Sequence, residues 1–126
     1  MSRILIIDDD KAILSFLKKR LMCEGFNVLT ASDGKEGMNL FTSNQVDLVI
    51  TDIIMPDQDG FLTIMELKKI CPDIKIIAMS GGGRGHPGHY LDTAKCFRAQ
   101  YTLEKPFKTS VLLKAVYALL NGEKAS

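Results

Sequence analysis

The sequence predicts an α/β fold in which five β-strands alternate with five α-helices around one doubly wound parallel sheet. Short apolar runs bounded by turn residues alternate with segments whose apolar residues recur every three or four positions. Charged residues follow three of the apolar runs directly, where parallel strands of such sheets carry their ligand sites. Alternating strands and helices favour a parallel sheet covered on both faces, and five strands suit the order 2-1-3-4-5.

The first two strand–helix units have clear boundary residues. Arg3–Ile7 is predicted as the first strand, and Asp10 as the N-cap of the helix that follows. Gly25 ends that helix where a left-handed residue is needed. Residues 26–30 form the second strand, and Asp33 opens the second helix. The apolar faces of the two helices contain Ile13, Leu14, Leu17, Leu21, Met38, Leu40 and Phe41.

The third and fourth units follow the same pattern. Residues 46–51 are predicted as the third strand and residues 61–70 as a helix, which Pro72 stops. Residues 74–79 form the fourth strand, and a short helix is expected near residues 90–97.

The fifth unit closes the chain. Residues 101–103 are predicted as the last strand, and Thr109 or Ser110 as the N-cap of the last helix. The apolar face of that helix contains Val111, Leu112, Ala115, Val116, Leu119 and Leu120. Since 126 residues suit one core, we expect a single domain over residues 1–126, with its core at 3–121 and a frayed end at 122–126.

Composition excludes several classes of protein. The chain is 46% hydrophobic and 25% charged, an ordinary globular balance, and its net charge of +1 gives no electrostatic case for direct nucleic-acid binding. No apolar run approaches the roughly 20 residues that span a bilayer. Cys23, Cys71 and Cys96 form neither a disulfide framework nor a zinc pattern. We therefore expect a cytoplasmic protein without a membrane partner.

Three acids stand at the ends of two strands that the predicted order makes neighbours. Asp8 and Asp9 follow the first strand and Asp52 follows the third. Carboxylates this close repel one another, and a hard divalent cation such as Mg²⁺ or Mn²⁺ relieves the repulsion. The alternative is that the acids after the first strand serve only as a turn and a helix cap.

Two further residues at the same edge complete a set of side chains that suits phosphoryl transfer. Lys105 follows the fifth strand and supplies a point charge for an anion, and Ser80 supplies a hydroxyl at the end of the fourth. A cation, a lysine and a hydroxyl around a carboxylate suit phosphoryl transfer. With Asp52 as the nucleophile, the product is an aspartyl phosphate.

These residues resemble a known family. Residues 4–10, residues 52–60 and Lys105-Pro106-Phe107 look like the receiver domain of two-component response regulators, and the resemblance covers about residues 3–121. It implies the flavodoxin-like fold, a single-domain regulator without an output domain, and a cis Lys105–Pro106 bond. It implies that Asp52 accepts the phosphoryl group, that Lys105 pairs with it and that Ser80 donates a hydrogen bond to it. The implied magnesium ligands are Asp8, Asp9, Asp52 and the backbone carbonyl of Ile54.

The resemblance also implies partners. The phosphoryl donor would be a phosphohistidine of a sensor kinase or of a histidine phosphotransfer protein. Phosphorylation would change contacts with an unknown downstream protein, through a face formed by the fourth helix, fifth strand and fifth helix. Homodimerisation is possible. Such a domain is not an enzyme beyond its own phosphoryl transfer and dephosphorylation.

Two features depart from the family's pattern. Receivers often carry an aromatic residue three positions before the lysine, where this chain has Thr102. Tyr101 is adjacent, but alternation along a strand points it to the other face. A hydroxyl readout from Ser80 toward Thr102 is the hypothesis that replaces the aromatic switch. The second departure is a glycine-rich loop at residues 81–88, which suits either a recognition loop or a plain surface connection.

The same residues leave two other functions open. A haloacid-dehalogenase-like phosphatase would use Asp8 as nucleophile and Asp10 as general acid/base, with Ser80 and Lys105 assisting. Ala12 stands where that motif commonly has Thr or Val, and no late acidic pair completes its metal site. A flavin-binding domain is suggested by fold analogy alone. The acids after the first strand argue against it, because they would face the cofactor's phosphate.

Overall fold

The computed structural model describes residues 2–53, 60–80 and 99–121, with only the backbone at residues 60 and 61. The predicted helix near residues 90–97, the glycine-rich loop and Cys96 lie outside these ranges. Nine elements are described, and we number them in chain order. They are β1 (Arg3–Ile7), α1 (Lys11–Cys23), β2 (Asn27–Ala31), α2 (Gly34–Ser43), β3 (Leu48–Asp52), α3 (Gly60–Ile70), β4 (Lys75–Ser80), β5 (Tyr101–Glu104) and α4 (Thr109–Leu120).

The sheet has the predicted order, β2-β1-β3-β4-β5, and every pairing in it is parallel. The register aligns the carboxyl ends of the strands. Ile7 lies opposite Thr51, and Ser80 lies opposite Glu104. Residues that follow β1, β3 and β5 therefore emerge at one edge of the sheet.

Two apolar layers cover the sheet, as expected for a parallel sheet buried on both faces. One layer contains side chains from α1 and α4, including Leu17 and Leu112. The other contains side chains from α2 and α3, including Phe41 and Leu67. The three central strands are largely apolar, and successive residues along them are buried on both faces of the sheet. The predicted doubly wound α/β fold is confirmed for the described residues.

The predicted ends of the first helices are also confirmed. Asp10 caps α1, and its carboxylate accepts hydrogen bonds from the N–H groups of Ala12 and Ile13. Gly25 follows the helix with φ at 94°, a conformation that glycine adopts without strain. Asp33 caps α2 by accepting from the N–H group of Glu36.

Some predicted boundaries are wrong. Strand β2 begins and ends one residue later than predicted, and β3 begins at Leu48 rather than at residue 46. The N-cap of the last helix is Lys108, without a side-chain cap. Thr109 already lies in the first turn, so neither it nor Ser110 caps the helix. Within the described parts of the chain, no helix is both long and apolar enough to cross a bilayer.

Candidate phosphoryl-acceptor site

The three acids predicted at the sheet edge do converge. Asp8 follows β1, Asp9 is the next residue, and Asp52 ends β3. One carboxylate oxygen from each lies within 4.8 Å of the others. Asp8 and Asp52 are buried and Asp9 is exposed, so the cluster opens to solvent on the Asp9 side. The parallel pairing of β1 with β3 produces this convergence, because it fixes the two strand ends side by side.

Asp8 is the most deeply placed of the three. Its side chain has no exposed surface, and its Oδ1 accepts a hydrogen bond from the N–H group of Asp10 at 2.9 Å. Burial raises the pKa of the Asp8 carboxyl above its ordinary value, because it disfavours the charged form. The hydrogen bond from Lys105 opposes this rise. A cation beside Asp8 therefore stabilises its ionised form.

Lys105 lies between two of the acids. Its Nζ is 2.6 Å from Asp8 Oδ2 and 3.6 Å from Asp52 Oδ2. Its backbone N–H donates to the Ser80 carbonyl at 2.6 Å, and the Lys105–Pro106 peptide bond is cis, as the resemblance implied. The sequence predicts Lys105 at this edge but does not predict its closer contact with Asp8. Spacing along the chain holds no signal for a contact between residues 97 positions apart.

Ser80 supplies a buried hydroxyl to this edge of the sheet. It is fully buried at the end of β4, and its Oγ finds no hydrogen-bond partner among the described residues. A buried hydroxyl without a partner is unfavourable and uncommon in folded proteins. This hydroxyl can donate to an oxygen ligand that enters the site.

The donor set of the cluster suits a hard divalent cation. Three carboxylates offer oxygen ligands, and Mg²⁺ is usually held by one or two carboxylates together with waters. The exposed side of Asp9 provides an entry path. Ile54, whose carbonyl was predicted as a further ligand, lies outside the described residues.

Asp10 takes no part in the cluster. It is exposed, and its carboxylate accepts a hydrogen bond within the first turn of α1.

Thr102 is half-buried in β5 beside Ala78. Tyr101 and Leu103 pack into the layer formed by α1 and α4, whereas Thr102 is in register with Ala78, which belongs to the other layer. The alternation predicted for these two positions is therefore confirmed. The proposal that the Ser80 hydroxyl signals phosphorylation through Thr102 stays a hypothesis.

Comparison with known proteins identifies the family to which this chain belongs. The response regulator receiver domain matches residues 4–117. The chain is a response regulator receiver domain. This receiver belongs to a family that is generally signalling rather than enzymatic, and the match does not support the haloacid-dehalogenase-like alternative.

Curated relatives of the receiver are transcriptional and response regulators. It is 34% identical over 120 residues to the transcriptional regulatory protein CpxR of Klebsiella pneumoniae, which covers 95% of this chain and 50% of CpxR. It is 37% identical over 82 residues to GlrR of Escherichia coli K12, covering 65% of this chain and 18% of GlrR. The chain thus spans half or less of the length of these relatives.

Solved structures agree with the receiver assignment. A response regulator receiver domain from Clostridium thermocellum superposes with a TM-score of 0.89 at 35% identity, covering 97% of this chain and 96% of that one. The response regulator TrrA from Thermotoga maritima, solved in complex with Mg²⁺ and BeF, gives a TM-score of 0.83 at 34% identity. That comparison covers 94% of this chain and 99% of TrrA. The predicted flavodoxin-like fold is therefore confirmed.

Proposed function

We propose that this receiver accepts a phosphoryl group on Asp52 in an Mg²⁺-dependent reaction and signals by changing its protein contacts. The single observation that supports this most strongly is the position of Asp52. Its carboxylate lies within 4.8 Å of two further acids and 3.6 Å from the Lys105 ammonium. It therefore lies beside two acids that would help it hold a cation and beside an ammonium that would pair with a phosphoryl group.

The proposed reaction is an in-line displacement at phosphorus. A carboxylate oxygen of Asp52 forms the new P–O bond while the P–N bond of a phosphohistidine breaks, and the leaving imidazole takes a proton from water. Lys105 orients the transferred group by its charge, and the Ser80 hydroxyl donates to one of its oxygens. Asp8 and Asp9, with Asp52 and the Ile54 carbonyl, would hold Mg²⁺. The bound ion would neutralise charge on the transferring oxygens.

The partners follow from the same chemistry. Receivers of this family act with histidine kinases and downstream effectors. We propose a sensor kinase or a histidine phosphotransfer protein as the donor, and a protein rather than nucleic acid as the downstream partner of this domain. TrrA was solved in complex with Mg²⁺ and BeF, which supports proposing magnesium for the acidic cluster here. The cytoplasmic location, the single-domain organisation and homodimerisation stay predictions.

The test uses a small acyl phosphate as the donor, with Mg²⁺ and with a chelator. Intact-mass measurement on the wild type should show one added phosphoryl group only when Mg²⁺ is present. Asp52→Asn should remain unlabelled, because an amide cannot form the acyl phosphate. Asp10→Asn is the matched control, since Asn caps a helix as well as Asp does and Asp10 lies outside the cluster. Equal labelling of Asp52→Asn and the wild type would refute the proposal.

A further inference from the structure

Strand β2 forms one edge of the sheet. It pairs with β1, and no other described strand pairs with it. The N–H group of Asn27 donates to the Ser2 carbonyl at 3.0 Å, on the β1 side. Because the backbone groups of successive residues in a strand point in opposite directions, the odd-numbered residues of β2 bond to β1. The N–H and C=O groups of Val28 and Thr30 therefore point away from β1, toward the outer edge.

The sequence of β2 does not protect this edge. Natural proteins often shield an edge strand with charged residues, proline or a β-bulge. Strand β2 reads Asn-Val-Leu-Thr-Ala, without charge or proline, and its register with β1 is uninterrupted. An extended segment of another protein can therefore pair with this edge through backbone hydrogen bonds.

A basic cleft of about 390 Å³ lies beside this edge, far larger than the roughly 30 Å³ that one water molecule takes up. It is lined by α1, by β2 with the turn after it, and by α2, and the lining includes Lys11, Ser15, Lys18, Thr30, Ser32 and Glu36. Glu36 is the only acid among these, and it already accepts from the N–H group of Ser32 at 2.6 Å. Neither lysine forms an ion pair with a described residue. The charge of the cleft therefore favours an anionic occupant.

The spacing of the two lysines suits an extended chain. Lys11 and Lys18 lie seven residues apart on α1, which is about two turns or roughly 10 Å. In a strand, side chains on one face recur about every 7 Å, and those four positions apart are about 13 Å from each other. Since lysine stems are flexible, acids at alternate positions of an added strand can reach both ammonium groups.

We propose that the β2 edge and the cleft beside it bind an extended acidic segment of a partner protein, which adds to the sheet as a further strand. Its backbone pairs with Val28 and Thr30, and its acidic side chains at alternate positions meet Lys11 and Lys18. The site does not include Asp52. This interaction therefore goes beyond the proposed function and does not depend on it.

The protein without a partner provides the first test. In hydrogen–deuterium exchange followed by NMR, the amides of Val28 and Thr30 should exchange quickly, because they point to the open edge. The amides of Leu29 and Ala31, which face β1, should be protected. Slow exchange at Val28 and Thr30 would overturn the proposal, since the edge would then already have a partner.

The second test uses a six-residue peptide with blocked ends, in which Glu alternates with Val. Binding should protect the amides of Val28 and Thr30. Lys18→Glu should weaken binding by about fivefold, the effect of losing one exposed ion pair. Lys19→Glu is the matched control, because Lys19 is also exposed on α1 but does not line the cleft. Equal weakening by the two substitutions would overturn the proposal.

Methylated peptides separate strand addition from charge attraction alone. Methylating the amide nitrogens of the Glu residues blocks one edge of the peptide, and methylating those of the Val residues blocks the other. One modification should abolish binding and the other should preserve it, because only one edge can face β2. Equal binding of both methylated peptides would overturn the proposal. Binding of glutarate without binding of the peptide would also overturn it and would identify a small-anion site instead.

Discussion

Gly37 of α2 packs directly against Ile7 of β1. A Cβ atom built on Gly37 would lie 2.5 Å from Ile7 Cδ1 and 2.9 Å from its Cγ1. Ile7 is fully buried at the end of the strand that leads into Asp8. The absence of a side chain at residue 37 therefore sets how closely α2 approaches the strand that carries the acids.

Gly37→Ala should destabilise the fold despite the better helix propensity of alanine. Overpacking a buried contact costs about 1–3 kcal/mol, against a propensity gain of about 1 kcal/mol. We expect a net loss of roughly 1 kcal/mol in the free energy of unfolding, measured in urea.

Ile7→Val supplies the matched control for that clash. Alone it should cost about 0.5–1.5 kcal/mol, because it removes one buried methyl group. Combined with Gly37→Ala it should cost less than the sum, since the clashing Cδ1 atom is gone. Strict additivity of the two changes would contradict the proposed contact.

Ionisation of Asp8 should lower stability when divalent cations are chelated. The pKa of this carboxyl is raised in the folded protein by burial, so the folded state holds a proton that the unfolded chain releases. The unfolding free energy should therefore fall as the pH rises from about 4 through the raised pKa.

Asp8→Asn isolates this contribution. The difference in unfolding free energy between the wild type and Asp8→Asn should shift against the wild type as the pH rises through the same window. Saturating Mg²⁺ should restore the wild type, because a bound cation favours ionised Asp8. A difference that does not vary with pH would show that the pKa of Asp8 is ordinary.

Asp10 should contribute to stability without contributing to chemistry. Asp10→Ala removes the cap that accepts from Ala12 and Ile13, and should cost about 0.5–2 kcal/mol in urea unfolding. Labelling of Asp52 by an acyl phosphate should persist at a temperature where the variant is folded. Loss of labelling in folded Asp10→Ala would instead favour a general acid/base role for Asp10.

The unfolding stability should respond differently to loss of the Ser80 and Thr51 hydroxyls. Ser80→Ala removes a buried oxygen without a described partner, so it should leave unfolding stability unchanged or raised. Thr51→Val removes a hydroxyl that donates to the Asp52 carbonyl at 3.0 Å, and should cost about 0.5–1.5 kcal/mol.

The Ser80→Ala variant also tests the proposed site role. We expect it to be as stable as the wild type while accumulating less aspartyl phosphate. Normal accumulation would place Ser80 outside the phosphoryl site, whereas a large loss of stability would mean that its hydroxyl has a structural partner.

The sequence by itself determined the architecture and predicted which described side chains converge at the sheet edge. Alternating apolar runs and helical periodicities are local signals, and they were enough to predict β1 to within a residue and the cap at Asp10. The convergence of Asp8 and Asp52 could also be predicted, because parallel strands in the order 2-1-3-4-5 must end at one edge.

Tertiary structure alone decided the distances and their consequences. Lys105 was expected to face a phosphoryl group, and only the packing of β5 against β4 places its ammonium nearer to Asp8. The cap of the last helix was predicted wrongly, since side-chain propensity at Thr109 cannot reveal the backbone path that starts the helix at that residue. Burial of Asp8 and Ser80 is likewise collective. It depends on neighbours distant in sequence, and from it follow the raised pKa of Asp8 and the buried Ser80 hydroxyl that has no partner among the described residues.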